Sequence, residues 1–168
     1  MARSPSATWL SAMSSTNTAR HRVQVGDVII GGGEPPVIQA MIKANPHDVH
    51  ACVREISLLQ QAGARIVRLA VPDRQAVECL REIVPATSVP LIADIHFDHR
   101  LGIAAIDAGV HKVRVNPGNL SPRQLSAVAA RARQAGIPLR LGVNSGSLPT
   151  TVPNKAEEPG TGAGTKDA

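Results

Sequence analysis

One repeating unit limits what this 168-residue chain can become: a short aliphatic run, a polar turn, then an amphipathic stretch that closes near a glycine. The runs are 37–41, 66–71, 91–95, 113–115 and 139–143. Measured from Ile38 to Ile66, Leu91, Lys112 and Leu139, they return every 21–28 residues. The stretches between them, about 48–62, 73–84, 98–108 and 121–135, carry helical periodicity, clearest in Val49, Cys52, Val53, Ile56 and Leu59. Gly63, Gly109 and Gly136 stand where each helix should stop; Asp48 and Ser121 suit N-caps, and Pro122 suits the first helical turn. A strand–helix repeat of this length implies right-handed βα units on a parallel sheet. The expected class is therefore α/β, closed either as a doubly wound sheet or as part of a TIM (β/α)8-type barrel. About four and a half units are present, whereas a closed barrel takes eight in roughly 250 residues.

Two β-rich runs around Gly26-Asp27 predict a hairpin ahead of the first unit. Three regions follow. Residues 1–21, rich in Ser, Thr and Ala and without a strong period, are expected to be a disordered N-terminal extension; residues 22–148 form the barrel-type domain. Residues 149–168, rich in Pro and Gly and nearly free of aliphatic side chains, are expected to be a disordered tail. No stretch approaches the roughly 18 apolar residues of a membrane span, so no membrane partner and a cytoplasmic location are expected. The net charge of +5 is spread between the leader and the core, which has no Lys/Arg run; with one Phe, one Trp and no Tyr, this argues against a nucleic-acid partner. Two cysteines, Cys52 and Cys79, exclude a disulfide scaffold or a four-Cys metal site from this chain alone.

The strands themselves carry the functional signal. Parallel strands covered by helices are normally almost wholly apolar. Here Arg68 interrupts one run, Asp94 and His96 share a face of the next, then Arg114 with Asn116, then Arg140 with Gly142 and Asn144. The opposite parity is aliphatic throughout and suits packing on helices. The polar set therefore points away from the helices, toward the C-terminal mouth of a barrel lumen. A guanidinium in a sheet interior costs several kcal/mol unless paired. Three arginines face one acid, Asp94, and planar bidentate donors in surplus suit a phosphate or diphosphate. The competing reading pairs each Arg with a neighbouring acid or lets it reach solvent at the strand end.

Other signals are weaker. His96 reads equally as a base, a phosphate ligand or a hydrogen-bonded structural residue. His47, His50, His99 and His111 read as surface residues, Asp73 and Asp98 as helix caps, and Cys52 and Cys79 as buried apolar positions. Gly31-Gly32-Gly33 reads as a turn. Asn116-Pro117-Gly118-Asn119 is a turn whose backbone N–H groups offer themselves to an oxyanion.

The strings VRLAVPD (67–73), PLIADIHFDHRLGIAAIDAGVHKVRVNPGN (90–119) and LRLGVNSGSL (139–148) resemble the 4-hydroxy-3-methylbut-2-en-1-yl diphosphate synthase family, and the hairpin RVQVGDVIIGG is similar to that family's start. The likeness covers about residues 22–148, the N-terminal part of the family's barrel. It implies reductive opening of 2-C-methyl-D-erythritol 2,4-cyclodiphosphate in isoprenoid biosynthesis, by an iron–sulfur oxidoreductase using a [4Fe–4S] cluster on a separate domain. Electrons would come from flavodoxin or ferredoxin, in a head-to-tail homodimer. By the same resemblance Arg68, Arg114 and Arg140 would hold diphosphate oxygens, Asn116 and Asn144 would add hydrogen bonds, and Asp94 would orient the arginines or a substrate hydroxyl.

The sequence also departs from the family. Where the family shows Q-S-M-T, this chain has Gln39-Ala40-Met41-Ile42. Strands six to eight and the cluster domain have no counterpart, and the likeness is read as ending after Leu148. The expectation is a truncated or frameshifted copy, holding the diphosphate-binding part of the barrel and inactive alone, with no metal ligands of its own. The alternatives are a non-catalytic remnant and a phosphate-binding module of a dihydropteroate-synthase-like barrel.

Overall fold

A computed structural model describes residues 21–143. The predicted disordered ends, apart from His21, and Asn144 lie outside them. Strands β1 (Arg22–Val25) and β2 (Val28–Gly31) form an antiparallel hairpin. Its two-residue loop places Gly26 at φ 59°, a backbone setting that a glycine adopts without strain. A five-stranded parallel sheet follows in the order β3 (Gln39–Met41), β4 (Ile66–Ala70), β5 (Leu91–Ile95), β6 (Lys112–Val115) and β7 (Leu139–Leu141). Helices α1 (Val49–Gln61), α2 (Arg74–Ile83), α3 (His99–Asp107) and α4 (Pro122–Ala135) connect successive strands. This is the expected partial barrel. Each strand pairs with its sequence neighbour, as an unreversed βα series requires, rather than switching direction as a doubly wound sheet does.

The helix starts are fixed by side chains. Asp48, Asp73 and Asp98 each accept a backbone N–H of the following helix, and Ser121 forms a capping box with Gln124. Both aspartates read as caps are therefore caps. Gly63, Gly109 and Gly136 take left-handed φ values of 98°, 92° and 68° just beyond α1, α3 and α4.

The parity seen in the sequence becomes two faces. Val67 and Leu69, Leu91, Ala93 and Ile95, Val113 and Val115 enter one core with Ile56, Leu80, Ile83, Leu101, Ile106 and Val128 of the helices. On the other face Ile66 and Ile92 pack against Val25 and Val28 of the hairpin, forming a second, smaller core. The hairpin thus covers the lower part of the sheet's inner face, near the strands' N-terminal ends. Above it, the inner face turns polar.

The hairpin also corrects a reading of the histidines. His111 is half-buried beneath Gly26, and its Nδ1 accepts the Leu91 N–H at 3.1 Å. Burial lowers its proton affinity below the usual histidine value, with Asp27 opposing. His47 and His99 are also half-buried, the former within 3.0 Å of the Asp73 carboxylate, so only His50 of the four is the exposed residue expected.

Candidate functional site

The upper inner face is built from register. Asp94 lies across from Arg114, and Arg114 across from Arg140; one row lower, Met41, Arg68, Ile92 and Lys112 align. All of these share the parity opposite to the helix-packed residues. Because the strands run parallel, Arg114 and Arg140 stand level with Asp94, and Arg68 stands one row below them on the same face.

Asp94 is the hub. Its side chain is 3% exposed and its Oδ1 accepts from Nη1 of Arg114 at 3.0 Å. Its Oδ2 lies 3.6 Å from Nε of Arg68 and 3.5 Å from Nε2 of His96. One carboxylate therefore serves two guanidiniums and an imidazole. Among the described residues the arginines are not each neutralised by an acid of their own.

Each arginine keeps spare capacity. Arg114, itself buried, donates its second terminal nitrogen to the Gly142 carbonyl at 3.1 Å. A guanidinium carries five N–H donors. Arg68 donates Nε and Nη2 to the Met41 thioether at 3.3 and 3.1 Å, a weak acceptor standing where an oxygen would serve better. Arg140 is exposed, and among the described residues no carboxylate lies within ion-pair distance of it.

The structure gives a role to one residue the sequence had placed on this face, Gly142, and adds one it passed over, Lys112. A Cβ at Gly142 would stand 2.7 Å from Nε of Arg114, so the absent side chain is what lets the guanidinium lie against β7. Its signal was a lone glycine in a strand pattern. Lys112 shares the inner parity with Arg114, and burial, then the charge of Arg140, depress its proton affinity. Its signal was parity, obscured because the aliphatic run was read as starting at Val113.

One expectation is corrected. The Asn116–Asn119 turn does not offer its N–H groups to an anion: Gly118 N–H donates to Asn116 Oδ1 at 3.0 Å and Asn119 N–H to the Asn116 carbonyl. Asn116, 1% exposed, instead shapes the turn that ends β6.

The cysteines do not suit an iron–sulfur cluster. Cys52 is fully buried on α1, donates to the Asn45 carbonyl, and has its thiol pushed up to about 11 chiefly by burial. Cys79, on α2, donates to the His47 carbonyl and is also shifted upward. Cluster ligands are thiolates, which these surroundings disfavour, and among the described residues no group of three His, Cys, Asp or Glu is placed to hold a metal.

Parallel βα units with a cation-rich inner face at the strand ends define an α/β barrel protein. The family model described as the GcpE TIM-barrel domain matches residues 20–166, and the chain belongs to that family. The match runs past Leu148, where the sequence reading ended the likeness. The chain is 47% identical over 132 residues to the 4-hydroxy-3-methylbut-2-en-1-yl diphosphate synthase (flavodoxin) of Bacillus cereus (strain B4264), covering 78% of this chain and 36% of that protein. The protein of the same name from Bacillus cytotoxicus is 48% identical over the same length. The chain thus spans about a third of the length of the curated relatives it matches, 36% in each case. Among solved structures, a dihydropteroate synthase of Xanthomonas albilineans superposes with a TM-score of 0.57 at 17% identity, over 79% of this chain and 55% of that one. A Yersinia pestis dihydropteroate synthase gives 0.54 at 16%, over 71% and 48%. At such identities the likeness concerns the fold alone.

Proposed function

We propose that this chain carries the diphosphate-gripping strands of a 4-hydroxy-3-methylbut-2-en-1-yl diphosphate synthase, an enzyme of isoprenoid biosynthesis. The supporting observation is the charge imbalance of the inner face: among the described residues Arg68 and Arg114 share the carboxylate of Asp94, and Arg140 beside Arg114 has none within ion-pair distance. Asp94 holds Arg114, and more loosely Arg68, in fixed orientation, so that a diphosphate meets preset donors. Asn116 and Asn144 contribute amide hydrogen bonds in this reading. Arg140, nearer solvent, draws the anion in.

The reaction read for the whole enzyme is reductive ring opening of 2-C-methyl-D-erythritol 2,4-cyclodiphosphate with loss of water, in the cytoplasm. Flavodoxin, or ferredoxin, supplies two electrons through a [4Fe–4S] cluster, in a homodimer. The described residues do not fit that cluster, so it belongs to this reading only if residues other than these hold it. Turnover by the 168-residue chain alone is not expected.

Calorimetric titration of the purified chain with the cyclic diphosphate, and separately with a pterin diphosphate, tests the assignment. Selective binding of the cyclic diphosphate is the expected result. Preference for the pterin compound would move the chain to the dihydropteroate-synthase kind of barrel.

A further inference from the structure

Four inner-face cations of the described residues, Arg68, Lys112, Arg114 and Arg140, divide into two unequal pairs. Arg68 and Arg114 share Asp94, at 3.6 and 3.0 Å. Lys112 and Arg140 share nothing: among the described residues neither has a carboxylate within ion-pair distance, and the charge that Lys112 senses is that of Arg140. The two lie on adjacent strands, with Arg140 level with Arg114 and Lys112 one row below it. Lys112 is half-buried and pairs across the ladder with Ile92, which is fully buried against the hairpin, and it shares the inner parity with the arginine row above it.

A half-buried ammonium beside a guanidinium, with no acid at hand, is an unfavourable arrangement that an anion relieves. The Asp94 pair is already partly neutralised, so one phosphoryl group bridging Arg68 and Arg114 would leave the second pair unanswered. A diphosphate has a second phosphoryl group to place. Resting on the diphosphate reading above, we infer that Lys112, with Arg140, forms a separate subsite for the second phosphoryl group, and that Lys112 makes the face prefer a diphosphate to a single phosphate.

The test is calorimetric titration of the folded 168-residue chain with inorganic pyrophosphate and with orthophosphate. Wild type is compared with Lys112→Met, Lys112→Gln and Lys112→Arg, each checked by far-UV circular dichroism. Lys112→Met and Lys112→Gln should weaken pyrophosphate by about tenfold or more while changing orthophosphate by less than about threefold; Lys112→Arg should keep most of the pyrophosphate affinity. The two neutral variants guard against a folding defect peculiar to one. Equal losses for both anions, or no loss, would overturn the subsite while leaving the Arg68–Arg114 grip standing. Absence of pyrophosphate binding by wild type would instead remove the diphosphate reading itself, and the subsite with it.

Discussion

Removing the Asp94 carboxylate is the sharpest perturbation of the inner face. In Asp94→Ala the Arg114 guanidinium, 9% exposed, loses the bond at 3.0 Å and keeps only the Gly142 carbonyl, while Arg68 loses its neighbour at 3.6 Å. Breaking one side of a buried pair costs about 3–5 kcal/mol, because the remaining charge stays buried without compensation. With a urea m-value of about 2 kcal/mol per M, a loss of about 4 kcal/mol moves the midpoint down by roughly 2 M. Urea titration followed by circular dichroism measures this directly. Asp94→Leu combined with Arg114→Met should regain most of the loss, since an apolar pair of similar volume replaces the ion pair at little net cost. Saturating pyrophosphate should rescue Asp94→Ala by more than it stabilises wild type, because the anion takes over the missing charge. A single-variant loss below about 1 kcal/mol, or a double variant as unstable as the single, would refute the reasoning that Asp94 holds a strained surplus of buried cations.

Other outcomes follow from individual residues. Gly142→Ala should push the Arg114 guanidinium off β7 and weaken pyrophosphate binding about tenfold by calorimetry, with little effect if that guanidinium is not a ligand. His111 has a proton affinity lowered by folding, so protonation favours the unfolded chain: its contribution is intact above the usual histidine value and is lost as pH falls through it. Between about pH 7.5 and about pH 5.5, roughly one unit either side of that point, the urea midpoint should fall more steeply in wild type than in His111→Asn. Ser121→Ala removes the capping box of α4 and should cost about 1 kcal/mol in the same assay. The Cys52 thiol, fully buried and pushed up to about 11, should resist iodoacetamide near neutral pH in the native chain and react once urea unfolds it, as mass spectrometry of the alkylated peptide will report.

Much of the fold was legible because two local rules agreed. Aliphatic residues at one parity and arginines at the other can only mean a strand with two different neighbours, and Gly63, Gly109 and Gly136 mark helix ends that caps confirm from the other side. The inner-face set was legible for the same reason, since Arg68, Asp94 and Arg114 break an apolar expectation. What escaped depended on distant chain segments. His111 looks like a turn residue until the hairpin is laid over it, and nothing nearby in sequence shows that Gly26 will sit there. Lys112 looks like the polar flank of a strand until register places it across from Ile92. The Asn116–Asn119 turn looked open to an anion because its internal bonds depend on a side-chain rotamer that composition does not reveal.

The central claim is that arginines from neighbouring strands share one inner face and together receive a diphosphate. A crystal structure of the chain soaked with pyrophosphate tests it most directly. The account predicts both phosphoryl groups on the inner face, within hydrogen-bond reach of Arg68 and Arg114 and toward Lys112 and Arg140, with the Asp94–Arg114 bond preserved. Pyrophosphate bound only on the helical exterior, or an inner face left empty at saturating ligand, would contradict it.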